Sequence, residues 1–294
     1  MRLATVASVG RDAQSDVVVS VDGQTWHRIA SEGERSWAKS LKGIITFCGK
    51  RDLNRLAPSD LPVEKDAADS NSLQFLAPLR HIEKLICIGK NYADHAAEMG
   101  GKPPEIPVVF SKFPSCLIGN GQEVVLPNIS SQVDYEAELV VVIGREGKNI
   151  ARSEALDHVF GYTIGNDISA RDWQKGRPGG QWLMGKAFDT FAPIGPWIVT
   201  ADEIADPQNL QLSLTLNGQQ MQNANTSQMI FPIDYLIEHI SKFFTLKPGD
   251  LIFTGTPSGV GAGRTPPVFL NAGDEMIVEI ENIGQLKNPV IASS

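Results

Sequence analysis

The chain has 294 residues, enough to bury a substantial core, and its 42% hydrophobic and 20% charged residues are the balance of a globular protein. Its formal net charge is −8, and no stripe of Lys or Arg interleaved with aromatics is visible, which argues against a nucleic-acid partner. No apolar run approaches bilayer length, the start MRLATVASVGRDAQ lacks an apolar leader core, and Cys48, Cys87 and Cys116 form no CxxC pair, so the expectation is a cytoplasmic protein with reduced thiols and no membrane partner.

In chain order, MRLATVAS, DVVVSVDG and TWHRIA read as strands, with Asp22-Gly23 as a hairpin signal. A helix is expected over 32–41. The stretch VEKDAADSNS, residues 63–72, is polar and lacks apolar periodicity, so it reads as a linker. A boundary near residue 73 would give a small N-terminal domain, 1–73, and a larger domain, 74–294. Beyond it come many short strand-like runs: KLICIG, PVVFSKF, AELVVVIG, FGYTIGND, APIGPWIVT, LQLSLTLNG, DLIFTG and DEMIVEIENIG. Helical stretches are few: YADHAAEM, RSEALDHV and FPIDYLIEHISKFF. Without regular strand–helix alternation a doubly wound parallel sheet is excluded, and an α+β, mostly β chain is expected.

Four segments can carry chemistry. In VDYEAELVVVIG, residues 133–144, strand alternation places Asp134, Glu136, Glu138, Val140 and Val142 on one face. That face turns apolar at Val140, so the glutamates border an interior or a cleft, where carboxylates need a proton, a basic partner or a cation. A solvated edge competes with this metal cleft. In GKNYADHAAEMG, residues 89–100, a helix would set His95 and Glu98 on one face, as general-base activation requires, although a short acidic surface helix has the same letters. The Gly100-Gly101 and Pro103-Pro104 pairs make this segment a candidate lid. In GNDISARDWQ, residues 165–174, Ser169 and Asp172 fit a capping box, which leaves Asp167 for a hard cation or for its own turn. Arg171 and Gln174 follow at spacings that can face the same cleft, and Lys186 sits among apolar residues and needs an anionic partner. GDLIFTGTPSGVGAG, residues 249–263, lacks the Lys-Ser/Thr end of a phosphate loop; Thr256 and backbone N–H groups suit a small carboxylate better.

Taken together, KLICIGKNYADH, VDYEAELVVVIG, GYTIGNDISARDWQ, GKAFDTFAPIGPW, TLNGQQMQ and LKPGDLIFTGTPSGVG closely resemble the fumarylacetoacetate hydrolase family, over roughly residues 75–290. The resemblance implies a mixed β-roll or β-sandwich catalytic domain behind a small α/β N-terminal domain, and a homodimer. It also implies Mg²⁺ or Mn²⁺, with Ca²⁺ as an alternative, on Glu136, Glu138 and Asp167. By the same resemblance His95 and Glu98 activate water and Lys186 helps hold an oxyanion; beside it, Lys90, the backbone near Asn91, Gln174 and Thr256 are expected to contact a 2-oxo acid substrate, and Arg171 either the substrate or its neighbouring residues. The longer fumarylacetoacetases carry a further metal-binding aspartate before the histidine, and ICIGKNYA has none. The leading expectation is hydrolysis of a C–C bond in a 2,4-dioxo acid through an enolate. The alternatives are an oxaloacetate tautomerase or decarboxylase, a hydroxymuconate-type isomerase, or a metal-binding protein without turnover.

Overall fold

A computed structural model of the chain describes residues 1–7, 15–29, 36–49 and 63–293. The N-terminal part supplies strands β1 (Arg2–Ala7), β2 (Ser15–Ser20) and β3 (Thr25–Ile29), helix α1 (Leu41–Gly49) and strand β4 (Val63–Asp69). Two expectations change here. The helix sought over 32–41 lies partly outside the described residues; Ser36–Lys39 is a 3-10 turn, and α1 starts at Leu41 because its apolar positions Leu41, Ile44, Ile45 and Cys48 recur at helical spacing. The polar stretch read as a linker contains β4, which pairs with β3 in the register Trp26↔Ala68 and His27↔Ala67. An edge strand is held by its backbone ladder on one side and tolerates charge, so it needs no apolar face.

The next part contains β5 (Leu85–Gly89), α2 (Ala93–Glu98), β6 (Val108–Ser111), β7 (Leu117–Ile118), β8 (Val124–Leu126), β9 (Val133–Asp134) and β10 (Ala137–Ile143). There follow β11 (Val159–Asn166), β12 (Ser169–Ala170), the short helices α3 (Arg171–Gln174) and α4 (Trp182–Lys186), and β13 (Ala192–Thr200). The last part holds β14 (Gln211–Leu216), β15 (Gln219–Asn225), α5 (Ile233–Ser241), β16 (Leu251–Phe253), β17 (Glu275–Ile280) and β18 (Gly284–Ala292). RSEALDHV, expected to be helical, is a 3-10 helix over Arg152–His158.

One large sheet runs β4-β3-β2-β1-β13-β11-β10-β16-β5-β6, with β7 parallel to β13; a five-stranded sheet runs β15-β14-β17-β18-β8. Because β1 pairs with β13 at Arg2↔Val199 and Leu3↔Ile198, the N-terminal strands and the rest share that large sheet. Strand β10 lies near its centre and is buried along its whole length. Its alternate residues feed two different cores, as the sequence pattern requires: Leu139, Val141 and Ile143 pack with α5 and the smaller sheet, whereas Val140 and Val142 pack with β1, β2 and α1. Many parallel-sheet proteins cover both faces with regular helices; here α5 and a second sheet pack on one face of β10, and the N-terminal strands with α1 pack on the other.

Gly165 of β11 stands opposite Glu138, and a Cβ there would lie 2.5 Å from both the Phe253 ring and Val140. The absence of a side chain lets β10, β11 and β16 close up directly behind the segment that carries Asp167. Gly165→Ala should therefore cost about 1–3 kcal/mol through overpacking, read as a lower denaturation midpoint. An unchanged midpoint would show that Phe253 can move aside freely.

Candidate active site

The acidic segment is built at a break in a strand. β9 ends at Asp134, the chain bends through Tyr135 and Glu136, and β10 resumes at Ala137, so alternation alone does not place Glu136. Asn166 fixes the bend by accepting the Glu136 N–H at its Oδ1, and the Glu136 carbonyl accepts the Asp167 N–H at 2.8 Å. These two bonds bring Glu136, Glu138 and Asp167 together, each at most 4% exposed, with one carboxylate oxygen from each within 4.8 Å of the others. Dense carboxylate oxygen in a buried place is the donor chemistry of a hard divalent cation, and this trio can hold one.

Buried cations surround the trio. Lys186 Nζ of α4 donates to Glu136 Oε2 at 2.6 Å and Asp167 Oδ2 at 2.7 Å. Arg171 Nη2 of α3 lies 2.6 Å from Glu136 Oε1 and 2.8 Å from Asp134 Oδ2. A Cβ on Gly185 would meet the Gln174 backbone at 2.5 Å, so this glycine allows α3 and α4 to touch and bring both cations in. Lys112, which the sequence pattern did not single out, is 2% exposed and gives its ammonium to Asp167 Oδ1 at 2.5 Å and to the Phe191 and Ile168 carbonyls. Its position two residues beyond Phe110 on an apolar strand face was the available signal. Burial alone would raise Glu136, but Lys186 and Arg171 outweigh it and hold the carboxyl well below the usual range. Glu138 is different. It accepts the Gly255 N–H at 2.7 Å, and burial, then Asp167 and Glu136, push its carboxyl well above the usual value.

Asp134 serves the scaffold. It accepts N–H groups from Gly261 and Ala262 as well as Arg171, and so ties the glycine-rich loop to the trio. The capping box expected from Ser169 and Asp172 does not form: Ser169 donates to the Asp167 carbonyl and Asp172 accepts from Ser130, because the β9–β12 pairing claims that corner.

On α2, His95 Nδ1–H donates to Glu98 Oε1 at 2.8 Å, which leaves Nε2 as the basic nitrogen. Glu98 Oε2 accepts the Gly259 N–H at 2.9 Å, so the pair is oriented from a third element. The segment read as a lid is anchored on both sides of His95. Asn91 donates both amide hydrogens to the Phe231 and Thr254 carbonyls, is fully buried and does not line the cleft. The amide is consumed in holding the turn between β5 and α2, so the side chain of Asn91 serves the scaffold. A narrow cleft of about 30 Å³ reaches the trio at Glu136 and is lined by Lys90, His95, Arg171, Gln174, Lys175, Lys186 and Thr256 as well. Gln174 Oε1 accepts from Arg171, and Thr256 accepts from Gln222, a further residue absent from the sequence expectations.

Comparison with known proteins shows the family. The model of the fumarylacetoacetate hydrolase C-terminal domain matches residues 84–291. The chain belongs to the fumarylacetoacetate hydrolase family. It is 48% identical to the mitochondrial oxaloacetate tautomerase fahd2 of Xenopus laevis, over 83% of this chain and 79% of that one. It is 50% identical to the human mitochondrial oxaloacetate tautomerase FAHD2A, over 75% and 70%. Among solved structures it resembles a 2-hydroxyhepta-2,4-diene-1,7-dioate isomerase from Mycobacterium marinum, with 35% identity, TM-score 0.77 and coverage of 100% of this chain and 99% of that chain. The mitochondrial relatives overturn the expectation of a cytoplasmic protein, which rested on composition, and composition does not encode a compartment.

Two outcomes follow from the carboxylate trio. Glu138→Ala should weaken Mn²⁺ binding by at least about a hundredfold in calorimetry, since losing a mere outer-shell partner costs 10–100-fold. An unchanged affinity would remove Glu138 from the site. In the wild type a cation must displace the proton that the raised Glu138 retains, so affinity should climb with pH, by up to about tenfold per unit, until Glu138 ionises unaided. Affinity that is flat from pH 5 to 8 would contradict this.

Proposed function

We propose that this protein interconverts the keto and enol forms of a small 2-oxo acid of the oxaloacetate type. The observation that carries the reading is a base held by a carboxylate, His95–Glu98, over a buried three-carboxylate site, in a chain about half identical to oxaloacetate tautomerases. Glu136, Glu138 and Asp167 would hold Mg²⁺ or Mn²⁺, and such a cation supplies Lewis-acid polarisation of the 2-oxo acid end. His95 Nε2 takes a proton from C3; the C–H electron pair becomes the C2–C3 double bond. The same imidazole then delivers its proton to the C2 oxygen, so atoms and charge balance without added water. Glu98 keeps the imidazole in the required tautomer and stabilises its charged form. Lys186 stabilises the negative charge that develops on the oxygen. Arg171, Gln174 and Thr256 shape the wall against which the acid lies.

The hydrolytic alternative uses the same residues but needs His95 to activate a water that attacks a second carbonyl. The decisive experiment follows enol absorbance and products together, with oxaloacetate and with a 2,4-dioxo acid, in Mg²⁺. Loss of the oxaloacetate enol signal without bond cleavage is the expected result; rapid release of two products from the dioxo acid, with no tautomerisation, would replace this reading by hydrolysis. His95→Asn should lower the tautomerisation rate by about 10²–10⁴-fold while Mn²⁺ affinity stays near wild type. A rate equal to wild type at saturating metal would assign the proton transfer to another group.

A further inference from the structure

Four cationic side chains line the cleft, and they divide into two kinds. Arg171 and Lys186 are spent on Asp134, Glu136 and Asp167. Lys90 and Lys175 are not: among the described residues neither ammonium has a hydrogen bond or an ion pair. Both line the same narrow space. Lys90 comes directly after β5 at φ 56, a left-handed conformation that costs a non-glycine residue energy and persists only where neighbours enforce it. The next residue, Asn91, is locked by its amide to two carbonyls. Lys175 follows α3, the helix that delivers Arg171. Lys175 is exposed as a residue, but desolvation of its amine at the cleft, then the charges of Arg171 and Lys90, push that amine down. Mutually repelling, unpaired ammonium groups over a site that would hold a 2-oxo acid by its other end are complementary to a second negative group on that acid.

We propose that Lys90 and Lys175 form a second anion subsite, which takes the distal carboxylate of a 2-oxo dicarboxylic acid. The inference rests on the function proposed above: an acid of the oxaloacetate type carries a second carboxylate, and these two lysines are the residues assigned to read it. The two lysines are specificity-determining residues here: they set which acid is held and leave the proton transfer to His95.

The test compares two ligands by calorimetry on the Mg²⁺-loaded protein. Oxalate presents the inner end of the substrate and nothing beyond it; 3,3-difluoro-oxaloacetate carries the distal carboxylate and has no C3 hydrogen to lose. Lys175→Met and Lys90→Met keep an unbranched side chain and remove the charge. Each should weaken the difluoro diacid roughly tenfold, the scale of one charge-assisted contact, and leave oxalate within about twofold. Lys175→Arg should restore diacid binding. The thermal midpoint of each variant checks the fold, and Lys175, which is exposed, provides the variant free of packing effects. The subsite is overturned if both variants lose oxalate and diacid equally, if neither loses the diacid, or if the wild type binds the diacid no more tightly than 3,3-difluoro-2-oxobutanoate, which lacks the distal carboxylate. Selective loss of the diacid in a protein that fails to tautomerise oxaloacetate would count against the proposed reaction alone. Tautomerisation without selective loss would count against the lysine pair alone.

Discussion

The site depends on an imbalance of buried charge. Asp134, Glu136, Glu138 and Asp167 bring four carboxylates into one region, and Arg171, Lys186 and Lys112 bring three cations, which leaves one negative charge over. The surplus falls on Glu138, whose carboxylate among the described residues accepts one hydrogen bond, from the Gly255 N–H, and whose carboxyl is pushed up by burial and by Asp167 and Glu136. Without a cation, a proton is the cheapest way to neutralise it. A divalent cation would turn the surplus of this buried cluster from one negative to one positive, Lys90 and Lys175 in the cleft add to it, and a cavity of that sign attracts an organic anion. Charge on the protein and charge on the ligand are thus complementary at the site although the chain as a whole carries −8.

The fold makes that cluster possible by close backbone approach at a few points. Gly185 lets α3 meet α4, Gly165 lets β11 close on β10 and β16, and Gly263 leaves room for Glu98, because a Cβ there would stand 2.7 Å from Glu98 Oε2. Each contact sits one or two residues from a charged group that must be held in place. Buried ion pairs are poor sources of stability, since desolvation offsets most of their attraction. The apolar clusters on both faces of β10 supply the stability, and the charged groups use it to stay in position.

Much of this was legible in the sequence where it depends on local pattern. The alternation in ELVVVI fixed which residues of β10 enter each core, and the three-residue spacing of His95 and Glu98 put them in contact on α2. What was not legible depends on pairing between distant segments. Lys112 reads as an ordinary strand lysine until β11 brings Asp167 to it across 55 residues of chain. The polar β4 reads as a linker because an edge strand announces itself by backbone partners instead of side chains. Asn91 resembles a substrate ligand by its place beside Lys90, yet its partners at Phe231 and Thr254 come from well over a hundred residues away.

The same division explains why the reaction type is harder to read than the site. Hydrolysis, decarboxylation and tautomerisation of oxo acids all need a held carbonyl, a stabilised oxygen charge and a base, and the residues that supply these are the ones whose letters stand out. What separates the reactions is whether a water is admitted beside the second carbonyl, and that is set by the space around His95. His95 is 6% exposed, tied through Glu98 to Gly259, under a cleft of about 30 Å³. The cleft is narrow, and a substrate that widens it does so where its walls have the fewest anchors. On α2 the bonds from Asn91 and Glu98 resist; beyond α3, Lys175 to Gly180 is exposed and includes Gly179 and Gly180 at positive φ. Widening on the α3 side moves Lys175 while His95 keeps its carboxylate, so the acid would be admitted past a cationic rim without loosening the base. A proton transfer confined to His95 and the substrate tolerates such an asymmetric opening, because it needs no third reactant placed on the side that moves.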